Sequence, residues 1–185
     1  MSQTPAPPPA LFATQPKAFP GNGALRSPDG RFVLVNIDPE NADPILGEAH
    51  AIYLLDLKAG ATRRLLVYAR HIDACFSPDG THLLLTDWLN SDGAEVRLYH
   101  LGANAERISL ERWIAPLKRQ SPQRRHAQRR YLQALGWEDA RTFRLLWWGY
   151  GPEGRGGDFR TGLVLHLDGR SEEVFPAAPE SMTGR

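Results

Sequence analysis

Ser27-Pro28-Asp29-Gly30 runs into Arg31-Phe32-Val33-Leu34-Val35, and fifty residues later Ser77-Pro78-Asp79-Gly80 runs into Thr81-His82-Leu83-Leu84-Leu85. Each stretch reads as a hairpin turn feeding a strand. Proline presets φ at the second turn position, aspartate tolerates the third, and glycine accepts a positive φ where the strand begins. A degenerate third copy is Trp137-Glu138-Asp139-Ala140 ahead of Arg141-Thr142-Phe143-Arg144-Leu145-Leu146. Ala140 lacks the freedom of glycine, so the third turn is expected to differ from the other two. If φ is positive there, Ala140→Gly should stabilise the chain.

Downstream of each turn lies a second pair of strand-like runs. These are Ile52 to Leu57 with Thr62 to Val67, Val96 to Leu101 with Glu106 to Leu110, and Leu163 to Leu167 with Glu172 to Phe175. Short glycine-containing links join each pair, as hairpins require. A run ahead of each turn, clearest at Ile72 to Phe76, brings each unit to four strands. Val33 to Val35, Leu83 to Leu85 and Leu145 to Trp148 are apolar on consecutive residues, the pattern of a strand covered on both faces. The expected architecture is all-β: a partial or small propeller-like stack of four-stranded antiparallel sheets, over about residues 24–68, 71–110 and 132–175.

The Ser-Pro-Asp-Gly turn, the apolar strand and the strand-Asp-Leu-x-x-Gly-strand hairpin resemble the β-propeller repeats of TolB and prolyl-oligopeptidase-type proteins, which are WD-repeat-like in their periodicity. The resemblance covers residues 24 to 110 well and 132 to 175 weakly. It implies an architecture and a binding surface rather than a reaction. Closed propellers typically have about four to eight blades, whereas three units are legible here. A hidden fourth unit, an open partial propeller, or a homodimer that completes the stack are the alternatives.

The remaining sequence frames this repeat. The chain has 185 residues, 42% of them hydrophobic, with 22 Lys plus Arg against 21 Asp plus Glu. That is the profile of a soluble globular domain. No apolar run has the roughly 18 residues of a membrane span, and Met1 to Ala10 does not read as a signal peptide. A cytoplasmic, bacterial-type protein without membrane attachment is the expectation. A single cysteine, Cys75, excludes an internal disulfide framework and any site built on paired cysteines. It reads as an inert core thiol.

Residues 1–23 carry six prolines and read as an N-terminal arm whose Leu11, Phe12 and Phe19 can tuck onto a sheet edge. Residues 176–185 read as a tail. Between the second and third units lies a basic insert, about 111–131. From Arg112 to Arg130 there are seven cations and no acid, and the net charge of +1 therefore leaves −6 on the rest of the chain. Ser121 as cap, Pro122 in the first turn and an apolar stripe of Ala127, Tyr131, Ala134 and Leu135 predict one helix from Pro122 to Leu135.

Signals of chemistry are few. Gly149-Tyr150-Gly151-Pro152-Glu153-Gly154 matches a dinucleotide-binding glycine pattern, but no helix follows to hold a phosphate. The acids Asp38, Glu40, Asp43 and Glu48 fit no calcium loop. The six histidines form no zinc motif, and no nucleophile elbow is present. No catalytic residue, metal or cofactor is expected. His100 and His166 fall at equivalent strand positions, where the first unit has Asp56.

In a four-stranded meander successive links alternate ends, so the long links at 38–50, 89–94, 149–160 and 111–131 gather on one face. Loops on a rigid scaffold are where binding residues concentrate. The expected partner-binding set is therefore Trp88, Asp92, Trp148, Tyr150 and Arg155 from the loops, with Arg112, Trp113, Arg119, Arg124, Arg125, Arg129 and Arg130 from the insert. Trp147 and Trp148 must point to opposite faces, one to the core and one outward. Replacing Arg124, Arg125, Arg129 and Arg130 with Gln is expected to spare folding.

The expected function is non-enzymatic binding of a protein partner, with an immunity-type protein that neutralises a cognate toxin as its specific form. Nucleic-acid binding through the arginines, with Trp113 or Tyr131 stacking on bases, is the first alternative. The acidic body opposes it. A carbohydrate-binding protein or hydrolase using the tryptophans and scattered acids is the second.

Overall fold

The computed structural model describes residues 11–37, 50–90, 93–151 and 158–174. The first unit is a four-stranded antiparallel sheet in the order β2 (Ala24–Arg26), β3 (Phe32–Ile37), β4 (His50–Asp56), β5 (Ala61–Tyr68). The second is β6 (His71–Phe76), β7 (His82–Asn90), β8 (Gly93–His100) and β9 (Glu106–Ile108). A two-residue strand, β1 (Lys17–Ala18), is added beside β6. The third comprises β10 (Arg129–Trp137), β11 (Thr142–Tyr150), β12 (Phe159–His166) and β13 (Ser171–Val174). Pairing within each meander is antiparallel. The second and third are joined by a short parallel contact, Arg130 with Gly93 and Tyr131 with Ala94, while β9 occupies the other half of the same β8 edge. The fold is thus all-β, built from stacked propeller-like meanders.

The first two turns close identically. Ser27 Oγ donates to Asp29 and accepts the Phe32 amide, and Gly30, at φ +72°, donates to the Ser27 carbonyl. Ser77, Asp79, His82 and Gly80, at φ +73°, repeat each contact. The third turn keeps only the aspartate's part, with Asp139 Oδ1 accepting the Arg141 amide at 2.6 Å. It is one residue shorter, closed by the Glu138 amide on the Thr142 carbonyl, and Ala140 does not have a positive φ. The condition for stabilisation by Ala140→Gly is therefore not met.

Alternation along the strands divides the apolar residues between two cores. Phe32, Leu34, Ile52, Leu54, Leu66 and Tyr68 of the first sheet meet Ile72, Ala74, Phe76, Leu83, Leu85 and Tyr99 of the second. The opposite face of the second sheet, with Cys75, Leu84, Val96 and Leu98, meets Trp137, Phe143, Leu145, Leu163 and Leu165 of the third. Consecutive leucines at 83 to 85 therefore serve different cores, as expected for a strand covered on both faces. Burial pushes the Cys75 thiol above its ordinary pKa.

The insert departs from expectation. Residues 122–135 are not one helix: α2 is limited to Pro122–His126, and the chain from Arg129 is strand β10. The predicted cap is present, Ser121 Oγ facing the Arg124 amide at 3.5 Å. The apolar stripe was a coincidence of helical spacing. Ala134 and Trp137 are buried because β10 lies between β8 and β11, and a bulge between Ala134 and Gly136 breaks the alternation that would have marked the strand. The longer helix lies earlier, α1 (Glu111–Gln120), and buries Trp113, Ile114 and Leu117 in the core between the second and third sheets. It acts as a wedge, with Trp113 contributing on the order of 2–3 kcal/mol by its burial.

The arm does reach a sheet edge. Phe19 is buried and its amide bonds to the Ile72 carbonyl at 2.9 Å, and Thr14 bridges to Trp137. Among the described residues no helix is long and apolar enough to cross a membrane.

Candidate functional site

The aromatic residues expected on the loop face are brought together by register. Tyr131 is paired with Trp148 across β10 and β11, and their rings stack at 5.0 Å with planes 7° apart. Trp148 also meets Trp88 of β7 at 6.3 Å, and Tyr150 sets its edge toward Tyr131 at 6.1 Å. Asp73 orients the far end of this row. Its carboxylate accepts the Trp88 indole N–H at 2.8 Å and faces His71 Nε2 at 2.9 Å.

Beside the row is a cleft of about 600 Å³ lined by Trp88, Gln133, Leu146, Trp148, Tyr150 and Phe159, with Asp158 and Arg160 at its rim. Gly149 makes its wall possible. A Cβ there would stand 2.6 Å from the Phe159 ring and 2.7 Å from the Arg129 carbonyl, so only glycine lets β12 and β10 close in together. Trp147 is buried at 2% exposure and Trp148 is half-buried, the division that strand alternation demands. Tyr150, 48% exposed, forms the open end.

The arginines separate into two groups. Arg124 gives both terminal nitrogens to the Glu173 carboxylate, at 2.8 and 2.5 Å, and lies 5.2 Å over the Trp147 ring. That pairing holds Glu173 below the usual carboxylate range. Arg112 covers Trp113 at 3.8 Å and donates to the Leu167 carbonyl. Both arginines pin the helices to the third sheet. Trp113, 1% exposed, is core and corrects the expectation that it contacts a partner. Arg119, Arg125, Arg129 and Arg130 remain at the surface. Arg130 reaches back to the carbonyls of Ala127 and Arg125, on the face of β10 opposite Tyr131.

Asp92 and Arg155 lie outside the described residues, as do the acids between 38 and 48 and the second half, 152–154, of the Gly149–Gly154 stretch. Leu89 and Asn90 belong to β7 and Gly93 and Ala94 to β8, so the expected 89–94 loop is mostly strand. Arg129 lies on the face of Tyr150 and Arg130 on the opposite one. The sequence pointed to Trp88, Trp148 and Tyr150, which line this cleft, but not to Gln133, Phe159 and Arg160. Only the cross-strand register of β11 with β10 and β12 makes them neighbours.

No family model matches this chain. No curated protein matches it either. Among solved structures it is similar to the β-propeller domain of the Trilobed protease from Pyrococcus furiosus, a domain with an open velcro topology. That likeness has 14% identity and a TM-score of 0.49, over 82% of this chain and 42% of the other. TolB from Acinetobacter baumannii is similar at 15% identity and a TM-score of 0.41, over 91% of this chain and 33% of that one. The chain thus spans less than half the length of either structure.

Proposed function

We propose that this protein is a non-enzymatic protein-binding module, and that its docking surface is the aromatic row Trp88, Trp148, Tyr131 and Tyr150 with the flanking arginines Arg129 and Arg160, which pair in register with Tyr150 and Trp148. One observation carries this reading: rings from three strands form one continuous, partly open surface beside a cleft, with Arg160 in the cleft lining. Tryptophan, tyrosine and arginine are the residues that dominate binding energy at protein interfaces. An immunity-type protein that neutralises a cognate toxin is the specific form of the proposal, suited to a small binder with one elaborated face.

The stacking of the sheets favours a second reading of the partner, another copy of this chain. Val33, Val35 and Leu55 lie on the first sheet's outer face, at positions equivalent to Leu83, Leu85 and Tyr99, which are buried against a neighbouring sheet in the second unit. Two chains, each seating its third sheet on the other's first, would cover both outer faces and close a ring of six units.

Affinity capture from the native host with the wild type and with Trp148→Ala, followed by mass spectrometry and light scattering, tests both readings. A stoichiometric protein retained by the wild type and lost by the variant supports the first. A dimer that Trp148→Ala dissociates supports the second. Recovery of nucleic acid alone, or of no macromolecule by a monomeric protein, overturns the proposal.

A further inference from the structure

A second cleft, separate from the aromatic surface, lies between the outer edges of the first and second sheets. Arg63 is paired with Leu54, a residue of the first core, and both therefore project toward the second sheet. Arg97 is paired with Leu85 and Arg107 with Tyr99, and these core residues turn both arginines toward the first sheet. All three line one cavity of about 400 Å³, together with Tyr99 and Asn104.

The charge in this cavity is poorly compensated. Arg97 bonds to Asp87 at 2.9 Å and stands 3.8 Å from Glu95. Among the described residues Arg63 and Arg107 make no ion pair. Glu106 also lines the cavity, but it is paired with His100 and so belongs to the opposite face of its strand. The Nε of Arg97 and the Oδ1 of Asp87 are both buried without a partner. Arg63 and Arg107 are exposed and converge with Arg97 on one cavity, where like charges repel. An anion among them relieves that repulsion.

We propose that this cleft binds a phosphorylated small molecule, with Arg63, Arg97 and Arg107 gripping its phosphoryl oxygens. A phosphate presents acceptors in several directions and suits several guanidinium forks at once, whereas a carboxylate occupies about one. The volume lies within the range of about 300–1,000 Å³ of small-ligand sites. Among the described residues Tyr99 is the one ring in the lining, and its hydroxyl faces the Leu65 carbonyl at 3.4 Å. A lining of arginines with a single phenol suits a polar phosphate ester such as a sugar phosphate, whose hydroxyls fall to Asn104, better than a nucleobase.

The test is titration calorimetry of the full chain with inorganic pyrophosphate and with glucose 6-phosphate, against glucose and against sodium chloride at matched ionic strength. Saturable binding of both phosphates is expected. Arg63→Gln and Arg107→Gln should each weaken it about tenfold, the loss of one charge-assisted contact, and Arg125→Gln on α2 should leave it unchanged. Both replaced arginines are exposed, and melting of the unliganded variants at or above the wild-type temperature confirms intact folding. The proposal is overturned by heats that chloride reproduces, by binding insensitive to Arg63 and Arg107, or by a glutamate-rich peptide that outcompetes both phosphates.

Discussion

Tyr131 lies flat on Trp148, ring centroids 5.0 Å apart, because β10 and β11 pair them directly across the third sheet. That contact joins a residue read from sequence as helical to one read as a strand residue of the loop face. It also makes the aromatic row a product of sheet register rather than of loop conformation.

Trp148→Ala should therefore weaken partner binding by about 2 kcal/mol or more, roughly 30-fold, as removal of a central aromatic does. Trp148 is half-buried and faces out of both cores, so a folded far-ultraviolet spectrum is expected alongside the lost affinity. Surface plasmon resonance with the captured partner measures the first, circular dichroism the second.

Arg124 behaves differently from its exposed neighbours. Its side chain is 13% exposed and its bidentate partner Glu173 is 26% exposed. Arg124→Met should cost about 1–3 kcal/mol by leaving that carboxylate unpaired, and Arg124→Met with Glu173→Leu should recover part of the loss. The expectation that four Gln replacements, Arg124 included, spare folding is corrected accordingly. Urea titration of the single and double variants checks this, and a single variant as stable as wild type would refute it.

The turns make a graded prediction. Gly30 and Gly80 share a positive φ, but a Cβ on Gly80 would approach Asp29 Oδ1 to 2.5 Å, whereas Gly30 has only the Arg26 side chain at 3.5 Å. Asp29 cannot withdraw freely, since Ser27 and the Arg31 amide hold it. Gly80→Ala should thus lose more stability than Gly30→Ala, whose cost is about 1 kcal/mol of left-handed strain. Ala140→Gly should lose about 0.4–1 kcal/mol through a floppier unfolded chain. Thermal denaturation ranks the three.

Acid should act in two windows. Burial, reinforced by His100, lowers the His82 pKa below its ordinary 6.5. The unfolded chain then binds the proton more readily, so stability present above pH 6.5 falls as pH drops through 6.5 toward the folded value. His82→Phe should flatten this part of the profile. Asp56 is held at about 2 by Arg31, aided by the Lys58 and Ala59 amides. A depressed carboxylate stabilises above its unfolded value of 3.8 and loses that contribution as pH falls from 3.8 to about 2. Asp56→Asn should reduce the second slope in urea midpoints measured against pH, the remainder belonging to Asp79, Asp168 and Glu173, which are also held low.

Local chemistry dictates those features that a short stretch of residues carries on its own. The Ser-Pro-Asp-Gly turns, the hairpins and the two-faced strands are written in φ preferences and in a period of two, and each could be placed from its own few residues. The equivalence of Asp56, His100 and His166 was legible for the same reason, and their strand partners Phe32, His82 and Thr142 bear it out. The tertiary structure decided everything that depends on residues far apart in the chain. Whether 129–137 became helix or strand was settled by the edges of β8 and β11, which offered hydrogen bonds that local periodicity does not reveal. Trp113 and Arg124 looked like surface binders because a charged run carries no record of the core and carboxylate that await it. The meeting of Trp88, Tyr131 and Trp148, and of Arg63 with Arg107, arises from sheet pairing and stacking, which no short stretch of sequence contains.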